Sequence, residues 1–198
     1  DKKKLSDFDH SLRIGTSSLR RKAQLLNFNS TLKIDDIRGN VDTRISKMLD
    51  GEYDGLVMAA AGIERLGLED YITEYFDTDQ MLPAPGQGAI SVEFKKKNSE
   101  LFDILKDIND NETGLCTFYE RSFMNELGGG CNSPIGAYSF ISDKKKIITG
   151  SILSLDGSQV FKHSLEKDIS NDINIGKLLA EKLIKSGANK IIKNLNIE

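Results

Sequence analysis

The sequence has no tryptophan, only two cysteines and three prolines, and its acidic and basic side chains nearly cancel, giving a formal net charge of −3. No apolar run approaches the roughly 20 residues of a membrane span, so we expect no membrane contact. Two cysteines in 198 residues exclude a disulfide framework. The charge balance argues against general nucleic-acid binding, and neither histidine belongs to a pair with metal-ligand spacing, so no metal site is expected.

The sequence also shows no apolar leader segment followed by a small-residue cleavage site. We therefore expect a cytoplasmic protein, or an organellar one whose targeting segment has been removed. With 38% hydrophobic and 29% charged residues, the composition is that of a soluble globular chain.

Three strand–helix units follow one another in residues 12–66. We predict strands over Leu12–Ile14, Leu32–Ile37 and Gly55–Ala60, and helices over Leu19–Asn27, Val41–Leu49 and Ala61–Leu66. Strand–helix alternation at this spacing indicates βαβ crossovers, so the fold class is α/β with a parallel sheet.

Six of the seven arginines lie in the first 65 residues. Five of them fall at or near the carboxyl ends of the predicted strands: Arg20, Arg21, Arg38, Arg44 and Arg65. Open α/β sheets bind ligands at this edge, where helix N-termini add unpaired N–H groups and positive dipole ends. Five guanidinium groups repel one another unless anions lie among them, which predicts a ligand with several carboxylates or phosphates. The alternative, ordinary surface arginines paired with Asp and Glu, stays open.

The second half of the sequence begins with a connector rich in proline and glycine, residues 81–88, which is typical of a hinge. It leads into a predicted strand, Ala89–Phe94, and an amphipathic helix, Asn98–Ile108. The remaining predicted elements form a small α+β domain: a helix over Glu112–Leu127, strands near Ile135–Ile141, Lys146–Leu155 and Gln159–Glu166, and a helix over Ile173–Ser186.

The two cysteines have different surroundings in the sequence. Cys116 lies in a predicted helix beside Leu115 and Phe118, where a free thiol usually acts as a small hydrophobe. Cys131 follows three glycines and precedes Ser133-Pro134, so its backbone turns tightly and its thiol is accessible. From the residues alone, Cys131 is either a loop thiol or a nucleophile or attachment point.

Taken together, these segments resemble the porphobilinogen deaminase, or hydroxymethylbilane synthase, family. The matching motifs are RIGTSSLRR at 13–21, IRGNVDTR at 37–44, AGIERLGL at 61–68, LPAPGQGA at 82–89 and GGCNSPIG at 129–136. The resemblance implies a monomeric transferase of haem biosynthesis that joins four porphobilinogen molecules head to tail and releases ammonia each time. It further implies a periplasmic-binding-protein-like second domain at 1–82, a hinge with elements of a first domain at 83–110, and a third domain at 111–198.

The resemblance also implies roles for individual residues. The family cysteine that matches Cys131 carries a dipyrromethane cofactor through a thioether. The residues that match Ser18, Arg20, Arg21, Arg38 and Arg44 hold the cofactor's carboxylates, and those that match Arg38, Arg44 and Arg65 bind porphobilinogen and the growing pyrrole chain.

Two departures from the family pattern lead to further expectations. Gly128 occupies a position where the family usually has Glu, so we expect a more mobile cofactor loop. The chain resembles the C-terminal two-thirds of the family, and no residue matches the catalytic aspartate of the first domain. We therefore expect the 198-residue chain to be inactive alone and the apolar faces of residues 89–108 to lack a partner. The rival hypothesis is a silent anion- or solute-binding module of the periplasmic-binding-protein type, which gives Cys131 no task.

Overall fold

A computed structural model describes residues 4–8, 11–95, 97, 99–130 and 133–195. They divide into two compact units. The first extends to Met81 and takes in Ile152–Val160; the second begins at Leu82, includes Ile135–Ser151 and continues from Phe161. Within the described ranges, no helix is both long enough and apolar enough to cross a membrane.

The first unit is built on a parallel three-stranded sheet in the order β2-β1-β3: β1 (Arg13–Gly15), β2 (Lys33–Asp35) and β3 (Gly55–Leu56). Ile14 in the central strand pairs with Ile34 on one side and Gly55 on the other. The predicted parallel sheet is confirmed. The third strand is shorter than expected, because the chain leaves the ladder after Leu56 and turns into a helix at Ala60.

Three helices connect and follow these strands: α1 (Leu19–Phe28), α2 (Val41–Leu49) and α3 (Ala60–Glu64). Short 3₁₀ turns form at Leu5–Asp7 and Glu69–Tyr71. The core beneath the helices consists of buried aliphatic side chains from the strands and α1, namely Leu12, Ile14, Leu25, Leu32 and Val57. Their burial fixes the sheet, and with it the places where α1 and α2 begin.

The second unit is an α+β arrangement, as predicted. Its elements are α4 (Ser99–Leu105), a 3₁₀ turn at Lys106–Ile108, α5 (Asn111–Glu126), β4 (Ile135–Ser142), β5 (Lys145–Leu153), β6 (Val160–Asp168), α6 (Ile175–Leu183), a π turn at Ile184–Ala188 and α7 (Asn189–Leu195). Strands β4, β5 and β6 form a separate sheet in that order. Asp143 and Lys144, both with positive φ, make the two-residue turn of an antiparallel β4–β5 hairpin.

Helices α5 and α6 cross closely at Gly176. A Cβ atom at this position would lie 1.9 Å from the Tyr119 carbonyl oxygen, so only glycine allows the approach. Phe123 of α5, Ile148 of β5 and Leu179 of α6 are fully buried. Helix α6 begins at Ile175, later than predicted, because the Asn174 side chain caps it by accepting from two backbone N–H groups at 3.1 Å.

The predicted strand Ala89–Phe94 is wrong: these residues have no regular secondary structure, and Ile90 is 98% exposed. A strand forms only against a hydrogen-bonding neighbour, and no strand of the described residues pairs with this segment. The predicted helix over Asn98–Ile108 is seen as α4 and its 3₁₀ turn, Asn98 itself lying outside the described residues. Its Phe102, Ile104 and Ile108 side chains are exposed, as expected for a face without a partner.

Candidate functional site

The site is built at the carboxyl edge of the parallel sheet, where α1 and α2 both begin. The Ser18 hydroxyl oxygen caps α1 by accepting the Arg21 N–H at 3.4 Å. The Asn40 side chain caps α2 by accepting the Thr43 N–H at 2.9 Å. Two helix N-termini, each with a positive dipole end, therefore face the same edge.

Arg20, in the first turn of α1, is only 5% exposed. Burial, with a smaller contribution from the charge of Arg21, lowers the pKa of Arg20 to about 10. Burial also lowers the pKa of Arg21, with the charge of Arg44 as the second cause. Arg21 thus lies within electrostatic reach of both Arg20 and Arg44, and we call these three guanidinium groups the arginine cluster.

Backbone carbonyls hold two members of the arginine cluster in place. Arg21 donates from Nη1 to the Val57 carbonyl at 3.1 Å, and Arg44 donates from Nε to the Gly39 carbonyl at 2.8 Å. In the part of the chain that the structure describes, no carboxylate is ion-paired with Arg21 or Arg44. Pairing with acidic side chains therefore does not explain these two arginines, and their charges remain available for an anion.

Arg13 shows what an ordinary paired arginine looks like in this fold. Its Nε lies 2.6 Å from Asp35 Oδ2, and its guanidinium stacks 5.3 Å from the centre of the Tyr53 ring. The side chain is about half exposed and lies outside the arginine cluster. Arg13 thus serves as an internal comparison for the cluster.

Arg38 and Arg65 are placed differently from the arginine cluster. Arg38 is exposed in the loop between β2 and α2, next to Gly39, whose φ of +122° only glycine adopts readily. Arg65 is exposed and ends α3 rather than beginning it. Within the described ranges, no contact joins either side chain to the cluster.

Two residues at this edge were missed from the sequence. The Ser17 hydroxyl donates to the Ile37 carbonyl, and the Tyr53 hydroxyl donates to the Asp36 carbonyl at 3.0 Å. The serine could be found once the register of β1 against β2 is known. No local pattern in the sequence indicates the tyrosine, because its contact depends on the tertiary fold.

The predicted attachment residue, Cys131, lies outside the described residues. The helix that precedes it ends in a Schellman motif, in which Gly128 and Gly129 donate to the Asn125 and Met124 carbonyls at 3.0 and 3.1 Å. Gly128 has a φ of +66°, which explains why glycine fits here. The greater mobility expected of this loop stays a prediction.

Cys116, the second thiol, is 8% exposed, and burial raises its pKa against a smaller opposing effect of a Ser139 hydrogen bond. It is therefore a packed thiol, as expected. Nearby, Glu120 is 5% exposed and accepts the Gly86 N–H at 2.6 Å and the Ser139 N–H at 2.8 Å. This carboxylate fixes the proline- and glycine-rich connector to α5 and β4, and burial raises its pKa.

The fold and the site define an α/β domain with an arginine cluster at the carboxyl edge of its parallel sheet, followed by a connector and an α+β domain. Residues 1–103 match the family model of the porphobilinogen deaminase dipyromethane cofactor binding domain, and residues 114–185 match that of the porphobilinogen deaminase C-terminal domain. The chain belongs to the porphobilinogen deaminase family.

Curated relatives agree with this assignment. Porphobilinogen deaminases of Desulforamulus reducens and Staphylococcus aureus are each 41% identical to the chain, over 98% and 97% of its length. The chain spans 63% and 62% of the length of these two relatives. The resemblance found in the sequence is confirmed, and the matched domain is the one that binds the dipyrromethane cofactor.

The residues of this chain fit such a cofactor. Its acetate and propionate side chains are carboxylates, and guanidinium groups are the cations best shaped to bind them with paired hydrogen bonds. The arginine cluster offers these groups at two helix N-termini, where an anion would reduce the repulsion of Arg21 with Arg20 and with Arg44.

Proposed function

We propose that this chain is the cofactor- and substrate-binding portion of a porphobilinogen deaminase, the transferase that joins four porphobilinogen molecules and releases ammonia at each condensation to give hydroxymethylbilane. The proposal includes the division into a second domain at 1–82, a connector with first-domain elements at 83–110 and a third domain at 111–198. It also includes a monomeric state and a cytoplasmic location.

The arginine cluster is the observation that supports this function best. Arg21 and Arg44 are held by backbone carbonyls, and no carboxylate of the described residues is ion-paired with either, so a bound carboxylate would neutralise their charges. Each porphobilinogen brings two carboxylates, so a chain of pyrroles needs several such cations. The arginine cluster therefore suits a ligand with several carboxylates.

The individual roles that we propose are those that the resemblance to the family implies. Arg20, Arg21, Arg38 and Arg44 would hold cofactor carboxylates, and Arg38, Arg44 and Arg65 would bind those of the substrate and the growing chain. The Ser18 oxygen accepts the Arg21 N–H, which leaves its O–H to donate to a carboxylate.

Cys131, for which the sequence predicts an accessible loop thiol, would carry the cofactor through a thioether, whereas the buried Cys116 does not suit covalent attachment. When bound, the cofactor supplies the pyrrole to which the first substrate is joined. The arginines then orient carboxylates and neutralise their charge while the chain grows.

The 198-residue chain alone is proposed to bind pyrrole carboxylates and to turn nothing over. The resemblance implies that the catalytic aspartate belongs to a part of the family that these 198 residues do not match, and the chain spans 63% and 62% of the length of two relatives. Incubation of the purified chain with porphobilinogen should release no ammonia. Sustained ammonia release that depends on the chain would contradict this part of the proposal.

Binding is tested by titrating the chain with a synthetic dipyrromethane that carries acetate and propionate side chains, using isothermal calorimetry. Arg21→Met should weaken binding at least tenfold, because it removes a charge-assisted hydrogen bond. Arg13→Met is the matched control, since this arginine is paired with Asp35 and lies outside the cluster. Equal losses for the two variants would contradict the assignment of the cluster.

A second experiment separates the transferase from the rival solute-binding module. Cys131→Ser, introduced into the full-length protein, should abolish the covalently attached pyrrole mass seen by intact-protein mass spectrometry. Cys116→Ser should keep that mass. If the presence of an attached pyrrole mass did not depend on Cys131, the result would favour the solute-binding module.

A further inference from the structure

Two serine hydroxyls extend the pairing of β1 with β2 beyond both ends of the strands. Ser11 donates from Oγ to the Thr31 carbonyl at 2.6 Å, and Ser17 donates from Oγ to the Ile37 carbonyl. In both pairs the acceptor lies 20 residues further along the chain. The same offset relates Arg13 to Lys33 in the ladder itself. Side-chain bonds thus continue the register where the backbone ladder stops.

The Ser17 bond lies at the carboxyl edge, directly before the loop that carries Arg38. Each of the three consecutive carbonyls that precede Arg38 is held by a donor from another part of the first unit. The pairs are Asp35 with the Thr16 N–H at 3.0 Å, Asp36 with the Tyr53 hydroxyl at 3.0 Å, and Ile37 with the Ser17 hydroxyl. The backbone of the three residues before Arg38 is therefore held by a hydrogen bond at each carbonyl.

The backbone leaving Arg38 is fixed as well. The Gly39 carbonyl accepts from Arg44 Nε at 2.8 Å, and the Asn40 side chain accepts from both the N–H and the hydroxyl of Thr43, at 2.9 and 2.7 Å. Arg38 is thus the exposed side chain between two held stretches of backbone.

We propose that Ser17 is a positioning residue of the anion site, which holds the Ile37 carbonyl so that Arg38 is set relative to the arginines of α1 before any ligand arrives. The proposal rests on the proposed function. A loop that is ordered in the free protein loses less conformational entropy on binding, so a preset Arg38 binds a carboxylate more tightly than a mobile one.

Ser17 acts through Arg38 rather than on the ligand. A serine hydroxyl has one proton, and that of Ser17 is donated to the Ile37 carbonyl. An ionised carboxylate only accepts hydrogen bonds, so Ser17 cannot donate to it without releasing the loop. Ser18 differs, because its oxygen accepts the Arg21 N–H and its own proton stays available.

The experiment measures the affinity of the purified chain for the same synthetic dipyrromethane acid by calorimetry. Ser17→Ala should weaken binding about tenfold, the factor that corresponds to one net hydrogen bond. Ser11→Ala removes a bond of the same kind at the opposite end of the ladder and should change the affinity less than twofold. Ser17→Thr keeps a hydroxyl and should restore most of the affinity.

A double-mutant cycle distinguishes positioning from general loss of stability. In an Arg38→Met background, Ser17→Ala should have almost no further effect on affinity, because the side chain that it positions is gone. Amide hydrogen exchange of residues 36–40 in the free chain should be faster in Ser17→Ala than in Ser11→Ala.

The possible failures are distinct. Equal affinities of Ser17→Ala and Ser11→Ala, or a Ser17→Ala effect that persists undiminished without Arg38, would overturn this inference alone. Failure of the wild-type chain to bind the acid, while its urea unfolding remains cooperative, would overturn the proposed function and this inference with it.

Discussion

Replacing Arg20 with methionine should make the unliganded chain more stable while weakening its binding of carboxylates. Arg20 is 5% exposed in the first turn of α1, and the neighbouring charge of Arg21 adds to the effect of burial. Methionine keeps an unbranched, flexible side chain that packs well in irregular spaces, and it removes the charge. Arg20→Met therefore separates the cost of the charge in the free chain from its benefit in the complex.

The magnitude follows from the pKa of Arg20, which burial and, to a smaller extent, the charge of Arg21 lower from its ordinary value to about 10. At about 1.4 kcal/mol per pH unit, this difference corresponds to about 3 kcal/mol against the charged form in the fold. Because the pKa of this base is lower in the folded chain, the charged guanidinium destabilises the fold. The full destabilisation applies at every pH below about 10, where the guanidinium is charged in both the folded and the unfolded chain. Loss of the guanidinium's hydrogen bonds offsets part of the gain, so we expect a net stabilisation of about 2 kcal/mol.

Urea unfolding at pH 7 measures this change, with and without the dipyrromethane acid. Without ligand, Arg20→Met should raise the free energy of unfolding; with ligand, the wild-type chain should gain more stability than the variant. Arg38→Met is the matched control, because Arg38 is exposed: it should weaken binding and leave unliganded stability within about 0.5 kcal/mol. If Arg20→Met were less stable than the wild type by 1 kcal/mol or more, the argument from burial would be refuted.

Three further predictions concern the second unit. Gly176→Ala should lower the free energy of unfolding by at least about 3 kcal/mol, because its Cβ would meet the Tyr119 carbonyl at 1.9 Å. Gly114→Ala, which has nothing within 4 Å of its Cβ, should raise the free energy of unfolding by up to about 1 kcal/mol. Urea titration of both variants measures these changes, and equal losses of stability in the two variants would contradict the prediction. Burial raises the pKa of Glu120, so the folded chain holds this proton more tightly than the unfolded chain and should lose stability as the pH rises above about 4.5. Glu120→Gln should therefore reduce the change in the free energy of unfolding above this pH. An unchanged pH dependence of stability in Glu120→Gln would contradict the role given to Glu120. Gly128→Ala places a side chain at a φ of +66° and should lower the free energy of unfolding by about 1 kcal/mol. Thermal unfolding measures this change, and an unchanged stability would contradict the prediction.

The sequence predicted the parts of the fold that depend on local pattern. Alternating strands and helices indicated a parallel sheet. The predicted starts of α1 and α2, at Leu19 and Val41, are correct, and the structure shows Ser18 and Asn40 capping these helices. Once the strands were predicted, the positions of the arginines in the sequence indicated that they lie at the carboxyl edge of the sheet. The electrostatic effect of Arg44 on Arg21 is consistent with these positions at the edge of the sheet.

The features that the sequence did not predict depend on distant partners. Residues 89–94 have the composition of a strand, yet a strand requires a neighbour, and composition carries no information about one. The hydroxyls of Ser17 and Tyr53 hold carbonyls on other segments, so only the folded register shows their role. Burial of Arg20 is likewise set by packing, since arginine at a helix start is normally exposed.

The central claim is that the arginine cluster recognises the carboxylates of a pyrrole ligand. It is tested most directly by titrating the same chain with the dipyrromethane acid and with its methyl ester, which has the same rings and no negative charge. The account predicts that the acid binds at least a hundredfold more tightly than the ester, and that added salt narrows the difference. Equal affinity for the acid and the ester would show that the rings bind an apolar surface and that the arginine cluster plays no part.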